Sequence, residues 1–194
     1  MGGRERFYIK VFVITGYKSF ELGIFNQKHE AIKYIKKAIK NELLTRIDEG
    51  LEWVVISGQL GVELWTAEVA IELRENYPHL KLAVLTPFMD QESKWNENLQ
   101  EYYHSILHEA DFVETITNRP YEGPWQFKAK DELLLSKSDG SIIVYDEEKE
   151  GSPKYFLEKA REYGNTSDYQ VIQITLADLQ NVIEEEQWEN DENV

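Results

Sequence analysis

The chain of 194 residues contains no cysteine. Disulfides, thiolate metal sites and a cysteine nucleophile are therefore excluded, and the composition suits a reducing cytosol. No stretch approaches the roughly 18 consecutive apolar residues that a spanning helix needs, and Met1 to Arg6 carry no apolar core of a secretory signal. A cytoplasmic protein without a membrane span is expected. Gly2 invites myristoylation, but Arg6 stands where that motif takes Ser or Thr. Positive charge is scarce: 21 Lys and Arg face 36 Asp and Glu, a net −15 that repels polyanions. Nucleic acid and anionic membrane are disfavoured as partners. There is no Walker-type Gly-Lys-Ser/Thr and no Gly-x-Ser-x-Gly elbow, so P-loop hydrolysis and α/β-hydrolase chemistry find no support.

What is present is an ordinary globular composition, 42% hydrophobic and 12% aromatic. Short buried strands alternate with amphipathic helices. Strands are predicted at Tyr8 to Thr15, Trp53 to Ser57, Lys81 to Thr86, Phe112 to Ile116, Ser141 to Tyr145 and Gln170 to Ile174. Helices are predicted at His29 to Ile47, Gly61 to Tyr77, Glu97 to Ala110, Trp125 to Lys137 and Pro153 to Tyr163. Such alternation implies a doubly wound, mainly parallel Rossmann-like sheet with helices on both faces. Residues 1–183 read as one domain. Residues 184–194, rich in Glu and Asp, read as a frayed, solvated tail.

In such sheets the ligand lies beyond the carboxyl ends of the strands, where strand order reverses. A strand order 3-2-1-4-5 would bring four loops to one crevice: Thr15-Gly16-Tyr17-Lys18, Gly58-Gln59-Leu60-Gly61, Thr117-Asn118-Arg119-Pro120 and Glu150-Gly151-Ser152-Pro153. The turn Ser57-Gly58-Gln59-Leu60-Gly61 carries the sharpest signal, since glycines between strand and helix let backbone N–H groups approach an anion. The alternative is a tight turn whose glycines satisfy geometry alone. On the ligand reading, Gly61→Val stays folded and loses its ligand. Gly151, Ser152 and Pro153 read as a flexible residue, an N-cap and a first helical proline, a second helix start open to phosphate.

Arg119 offers a forked anion clamp and Lys18 a weaker one. Tyr17 and Trp65 are candidates to stack on a base, although Trp65 lies on the apolar stripe of its helix. Glu63, early in the second helix, suits the macrodipole and could accept from a ribose hydroxyl. His104 and His108 lack a third ligand, and the acidic run Asp146-Glu147-Glu148-Lys149-Glu150 reads as a solvated loop rather than a magnesium seat. No metal or cofactor is assigned beyond a nucleotide-type ligand.

Together the strings ITGYKSFELGIF, EWVVISGQLGVELWTAE, TNRPYEGPWQFK and YDEEKEGSPKYFLEKA resemble the YpsA family of bacterial proteins, from about Ile9 to the acidic tail. The resemblance implies membership of the SLOG superfamily, Rossmann-like proteins expected to bind nucleotides or their derivatives, with LOG phosphoribohydrolases and DprA among the relatives. It implies a ligand role for Gly16, Gly58, Gly61, Glu63, Arg119 and Gly151. LOG-type hydrolases carry a second motif, Pro-Gly-Gly-x-Gly-Thr-x-x-Glu; here Tyr155 falls where its glutamate would stand, which weakens the hydrolase reading. The leading expectation is a nucleotide-binding regulatory module whose ligand alters a protein-protein surface; the lysine face Lys33, Lys36, Lys37 and Lys40 is the candidate surface, with a plain solvated face as the favoured reading of those lysines. The rival is an enzyme cleaving an N-glycosidic or phosphate bond with Glu63 as acid or base and Arg119 as anion clamp; a ligand-free scaffold is the third reading. The sequence leaves the oligomeric state open.

Overall fold

A computed structural model describes residues 10–192. Gly2, the predicted strand residues Tyr8 and Ile9, and the end of the tail at 193–194 lie outside the described residues. Six strands, β1 (Val11–Gly16), β2 (Trp53–Ile56), β3 (Lys81–Thr86), β4 (Phe112–Thr115), β5 (Gly140–Val144) and β6 (Gln170–Ile174), form one parallel sheet in the order β4-β3-β2-β1-β5-β6. They alternate with α1 (Glu30–Asp48), α2 (Val62–Leu73), α3 (Glu97–Glu109), α4 (Trp125–Ser136), α5 (Pro153–Gly164) and α6 (Leu176–Glu192).

Strand order reverses between β1 and β5, which differs from the order 3-2-1-4-5. The composition of the two strands explains the difference. β5 is buried along all five residues, as a central parallel strand must be, whereas Phe112, Val113 and Glu114 of β4 are exposed. A half-exposed strand with a charge belongs at the edge. β4 therefore extends the sheet beyond β3, and α4 carries the chain back across the sheet to set β5 beside β1. Right-handed crossovers then place α1, α2 and α3 on one face and α4 and α5 on the other. The observed packing agrees: α1 touches α2 and α6, α2 touches α3, and α4 touches α5.

The core lies mainly between the sheet and the α1–α3 layer, where Ile35, Ile39 and Leu43 on the α1 stripe meet Phe12, Ile14 and Val54 from the strands. The opposite face is less completely covered. Beside α4, a groove of about 300 Å³ runs over Val13, Trp53, Ala83, Leu85 and Phe112.

Two surface expectations change. Residues 184–192, read as a frayed tail, continue helix α6. The lysine face of α1 is not a free basic surface: Lys33 bonds Glu186, Lys36 lies 2.6 Å from Glu68, Lys37 lies 3.6 Å from Glu186 and Lys40 lies 2.6 Å from Glu72. The periodicity of α1 could not show this, because the carboxylates come from α2 and α6. The hydrogen bonds from Lys40 and Lys33 hold the Glu72 and Glu186 carboxyls below the ordinary range. Among the described residues no helix is long and apolar enough to cross a membrane.

Leu43 is fully buried on α1, while Asn41 beside it is exposed. Leu43→Ala is expected to lower stability by about 2–5 kcal/mol and Asn41→Ala to stay within about 0.5 kcal/mol, as read from urea unfolding midpoints.

Candidate ligand site

The carboxyl ends of β1 and β2 are bound together by backbone. The Val62 N–H donates to the Tyr17 carbonyl at 3.1 Å and the Ser19 N–H to the Leu60 carbonyl at 3.3 Å. This crossing needs glycine at position 61, whose φ is +102° and whose missing Cβ would lie 2.5 Å from the Ser19 nitrogen and 2.6 Å from the Tyr17 oxygen. Gly58, with φ of +79°, turns the chain under Gln91, whose amide donates to the Ser57 carbonyl at 3.0 Å. Gly61 thus makes room for the neighbouring loop, and the space a side chain would fill is already occupied by protein.

Two N–H groups of the same turn, those of Ser57 and Gln59, are also taken. The Glu63 carboxylate accepts from the Ser57 N–H at 2.8 Å, the Gln59 N–H at 3.0 Å, the Ser57 hydroxyl at 2.8 Å and the Thr15 hydroxyl at 2.8 Å. A carboxylate offers about four lone-pair positions, so these donors use its capacity and leave little for a ribose hydroxyl. Glu63 is 4% exposed and joins β1, β2 and the glycine turn to the first turn of α2.

The second expected anion seat, at the start of α5, holds a carboxylate too. Glu21, from the 3-10 turn Ser19–Leu22, accepts from the Ser152 N–H at 2.7 Å, the Ser152 hydroxyl at 3.0 Å and the Lys18 N–H at 2.7 Å. Ser152 therefore does not cap α5 through its own side chain, as the sequence predicts; its hydroxyl is spent on Glu21. Gly151 lies against Tyr17, and a Cβ there would meet the ring at 2.7 Å.

Tyr17 is 1% exposed and is not a stacking surface. Its hydroxyl meets the carbonyl oxygens of Asp146 (2.9 Å) and Lys149 and accepts the Asp146 N–H at 3.0 Å, which ties the loop after β1 to the loop after β5. Burial raises its pKa above the ordinary tyrosine value. Trp65 is 4% exposed in the core. Arg119 stands apart from the other site residues, since β4 is the far edge strand. Its exposed guanidinium is 3.5 Å from Glu122, in a loop that the buried Gln126 holds through the Glu122 N–H (2.7 Å) and the Thr117 hydroxyl (2.9 Å).

Thr15, Gly16, Lys18, Gln59, Glu63 and Ser152 do come together, lining a cavity of about 380 Å³ between the ends of β1 and β5 and the starts of α4 and α5. A second cavity of the same size, behind the β1 loop, is lined by uncharged residues including Phe20, Leu60 and Trp65. The first differs in carrying four lysines and two carboxylates: Lys18, Lys128, Lys130, Lys159, Glu63 and Asp131. Asp131 is buried and is bound by Lys159 at 2.8 Å and Lys130 at 3.0 Å. Phe127, Tyr155 and Phe156 add aromatic wall.

The α4 residues Phe127, Lys128, Lys130 and Asp131, with Lys159 of α5, were not singled out from the sequence, and Tyr155 was noted only where a LOG-type glutamate would stand. The available signal was a buried charge in the middle of α4, but its meaning depends on α4 lying beside α5, and so on the position of β5. The acidic loop after β5 is used structurally: Asp146 accepts the Glu148 N–H at 2.9 Å and the Leu176 N–H at 3.0 Å. His104 lies 3.1 Å from Glu92.

A six-stranded parallel sheet in this order, layered by helices, places the chain in the Rossmann-like α/β class. Residues 12–179 match the family described as the YspA SLOG family, YpsA, and the chain belongs to that family. A UPF0398 protein of Bacillus cereus (strain B4264) is 55% identical over 184 residues, covering 95% of this chain and all of the relative. UPF0398 proteins of Bacillus anthracis (strain A0248) and Bacillus thuringiensis (strain Al Hakam) are each 54% identical with the same coverage. Among solved structures, the single-stranded DNA-binding DNA processing protein A from Helicobacter pylori matches at 16% identity and a TM-score of 0.49, over 96% of this chain and 77% of that one.

Two substitutions separate structural demand from ligand contact. Gly61→Val is expected to destabilise the protein itself by about 2–6 kcal/mol, through strained φ and overlap with backbone, rather than remain folded and lose only a ligand. Glu63→Gln sets an amide N–H₂ among donors and is expected to cost about 1–3 kcal/mol. Urea unfolding without ligand measures both.

Proposed function

We propose that this protein binds a nucleotide or nucleotide-derived small molecule in the cavity between β1, β5, α4 and α5 and acts as a regulatory module. The observation that carries this reading is the cavity itself, which stands where strand order reverses and combines lysines and aromatic rings. Lysines suit phosphate and rings suit a base. Membership of a SLOG family supports the same ligand class.

Binding without turnover is favoured because Glu63, which a hydrolytic mechanism would need as acid or base, gives its acceptors to the chain's own donors. A regulatory output has a physical route. Lys18 lines the cavity and is followed at once by the loop bearing Phe20 and Phe25, which are 58% and 85% exposed. Ligand at Lys18 would bear on that apolar surface, which replaces the ion-paired face of α1 as the candidate partner surface.

The test is thermal unfolding with adenosine, AMP, GMP, ATP, NAD and a short single-stranded oligonucleotide, with native mass spectrometry of the gently purified protein. A mononucleotide at one hundred times its Kd should raise Tm by roughly 5–10 °C. Hydrogen exchange at residues 18–25 should slow with it. Steady release of base or phosphate would favour the enzyme reading, tighter binding of the oligonucleotide would favour a nucleic-acid site, and no shift with any probe would sink the proposal.

A further inference from the structure

Resting on that reading of the cavity, we infer that the ligand's anion is a single phosphate held by Lys18 and Lys128, and that the glycine turn and the start of α5 do not receive it.

The first argument is occupancy. Both places where backbone N–H groups would greet a phosphate already hold a carboxylate of this chain: Glu63 at the glycine turn and Glu21 at Ser152. A phosphate in either place would displace a hydrogen-bonded carboxylate or stand beside it, and like charges at such short range repel strongly. These carboxylates belong to the fold's own hydrogen bonding.

The second argument is the state of the lysines. Of the four that line the cavity, Lys130 and Lys159 are bound to Asp131. Lys18 and Lys128 form no ion pair among the described residues; the Lys18 ammonium has only a weak contact, 5.9 Å from the centre of the Phe20 ring. Their combined charge of about +2 matches the −1.5 to −2 of one phosphomonoester at neutral pH. Further phosphates would add charge with no cation left to meet it, near Glu63 and Asp131.

The third argument is size. A cavity of about 380 Å³ lies near the low end of the roughly 300–1,000 Å³ range for small-molecule sites, which suits one nucleotide and not two. Tyr155, 68% exposed at the cavity wall with Phe127, supplies the surface against which the base lies. The ligand class that follows is a nucleoside monophosphate.

Calorimetric titration of adenosine, AMP, ATP and inorganic phosphate into the native protein, the Lys18→Ala, Lys128→Ala double variant and Tyr155→Ala tests this assignment. Native protein should bind AMP more tightly than ATP or inorganic phosphate. The double variant should lose about tenfold or more in affinity for AMP and keep its affinity for adenosine within about threefold. Tyr155→Ala should weaken adenosine and AMP alike. Because both lysines are free of ion pairs, the unliganded variant should melt near the parent temperature. Tenfold tighter binding of ATP than AMP, or AMP affinity unchanged in the double variant, overturns the lysine seat while leaving nucleotide binding intact. A native protein that binds none of the four probes overturns the nucleotide reading itself.

Discussion

One buried carboxylate holds together the strand ends beside the candidate cavity. Glu63 takes donors from β1 and from the turn between β2 and α2, so two segments distant in sequence share one acceptor. A carboxylate at a helix start is favoured by the local dipole, and the surrounding hydrogen bonds keep the buried charge from being costly. The backbone crossing at Gly61 lies in the same turn, where the Val62 N–H donates to the Tyr17 carbonyl and the Ser19 N–H to the Leu60 carbonyl.

That internal anion shapes the electrostatics of the cavity. In a chain of net charge −15, cations are the scarce component, and most of those described on the helices are bound to carboxylates. What distinguishes the cavity is two lysines left without a carboxylate. The same logic makes the α1 face an inter-helix seam: its lysines neutralise α2 and α6 and so bind three helices into one layer.

The fold was legible because its signals are local. Apolar runs such as Trp53–Ile56 and Gly140–Val144, and the helical stripe of α1, declare their type within a few residues, and element ends were read to within a residue or two in most places; α2, which stops at Leu73 rather than Tyr77, is an exception. The place of the candidate cavity was legible to the extent that it follows from the strand ends. Its chemistry was not. Glycines at 58 and 61 look the same in sequence whether they admit a phosphate or a neighbouring loop, and only the position of Ser19 decides. Arg119 fell away, and Lys128, Asp131 and Lys159 came in, for one reason: β4 went to the edge and α4 to the side of α5. Long-range placement of a helix is set by strand order, which no local pattern encodes.

The strand order has a consequence for how the chain is made. β1 pairs with β2 on one side and β5 on the other, and its partner on the second side begins only at Gly140. On the ribosome, at about 5–20 residues per second, the edge of β1 therefore waits on the order of ten seconds for its neighbour while β2, β3 and β4 assemble beside it. Throughout that interval the nascent half-sheet presents a mostly apolar strand with open hydrogen-bonding groups, the surface that chaperones recognise and that self-association exploits. The reversal that creates the cavity is also the last joint of the sheet's centre to close, and a chain halted before β5 has neither a finished core nor a site.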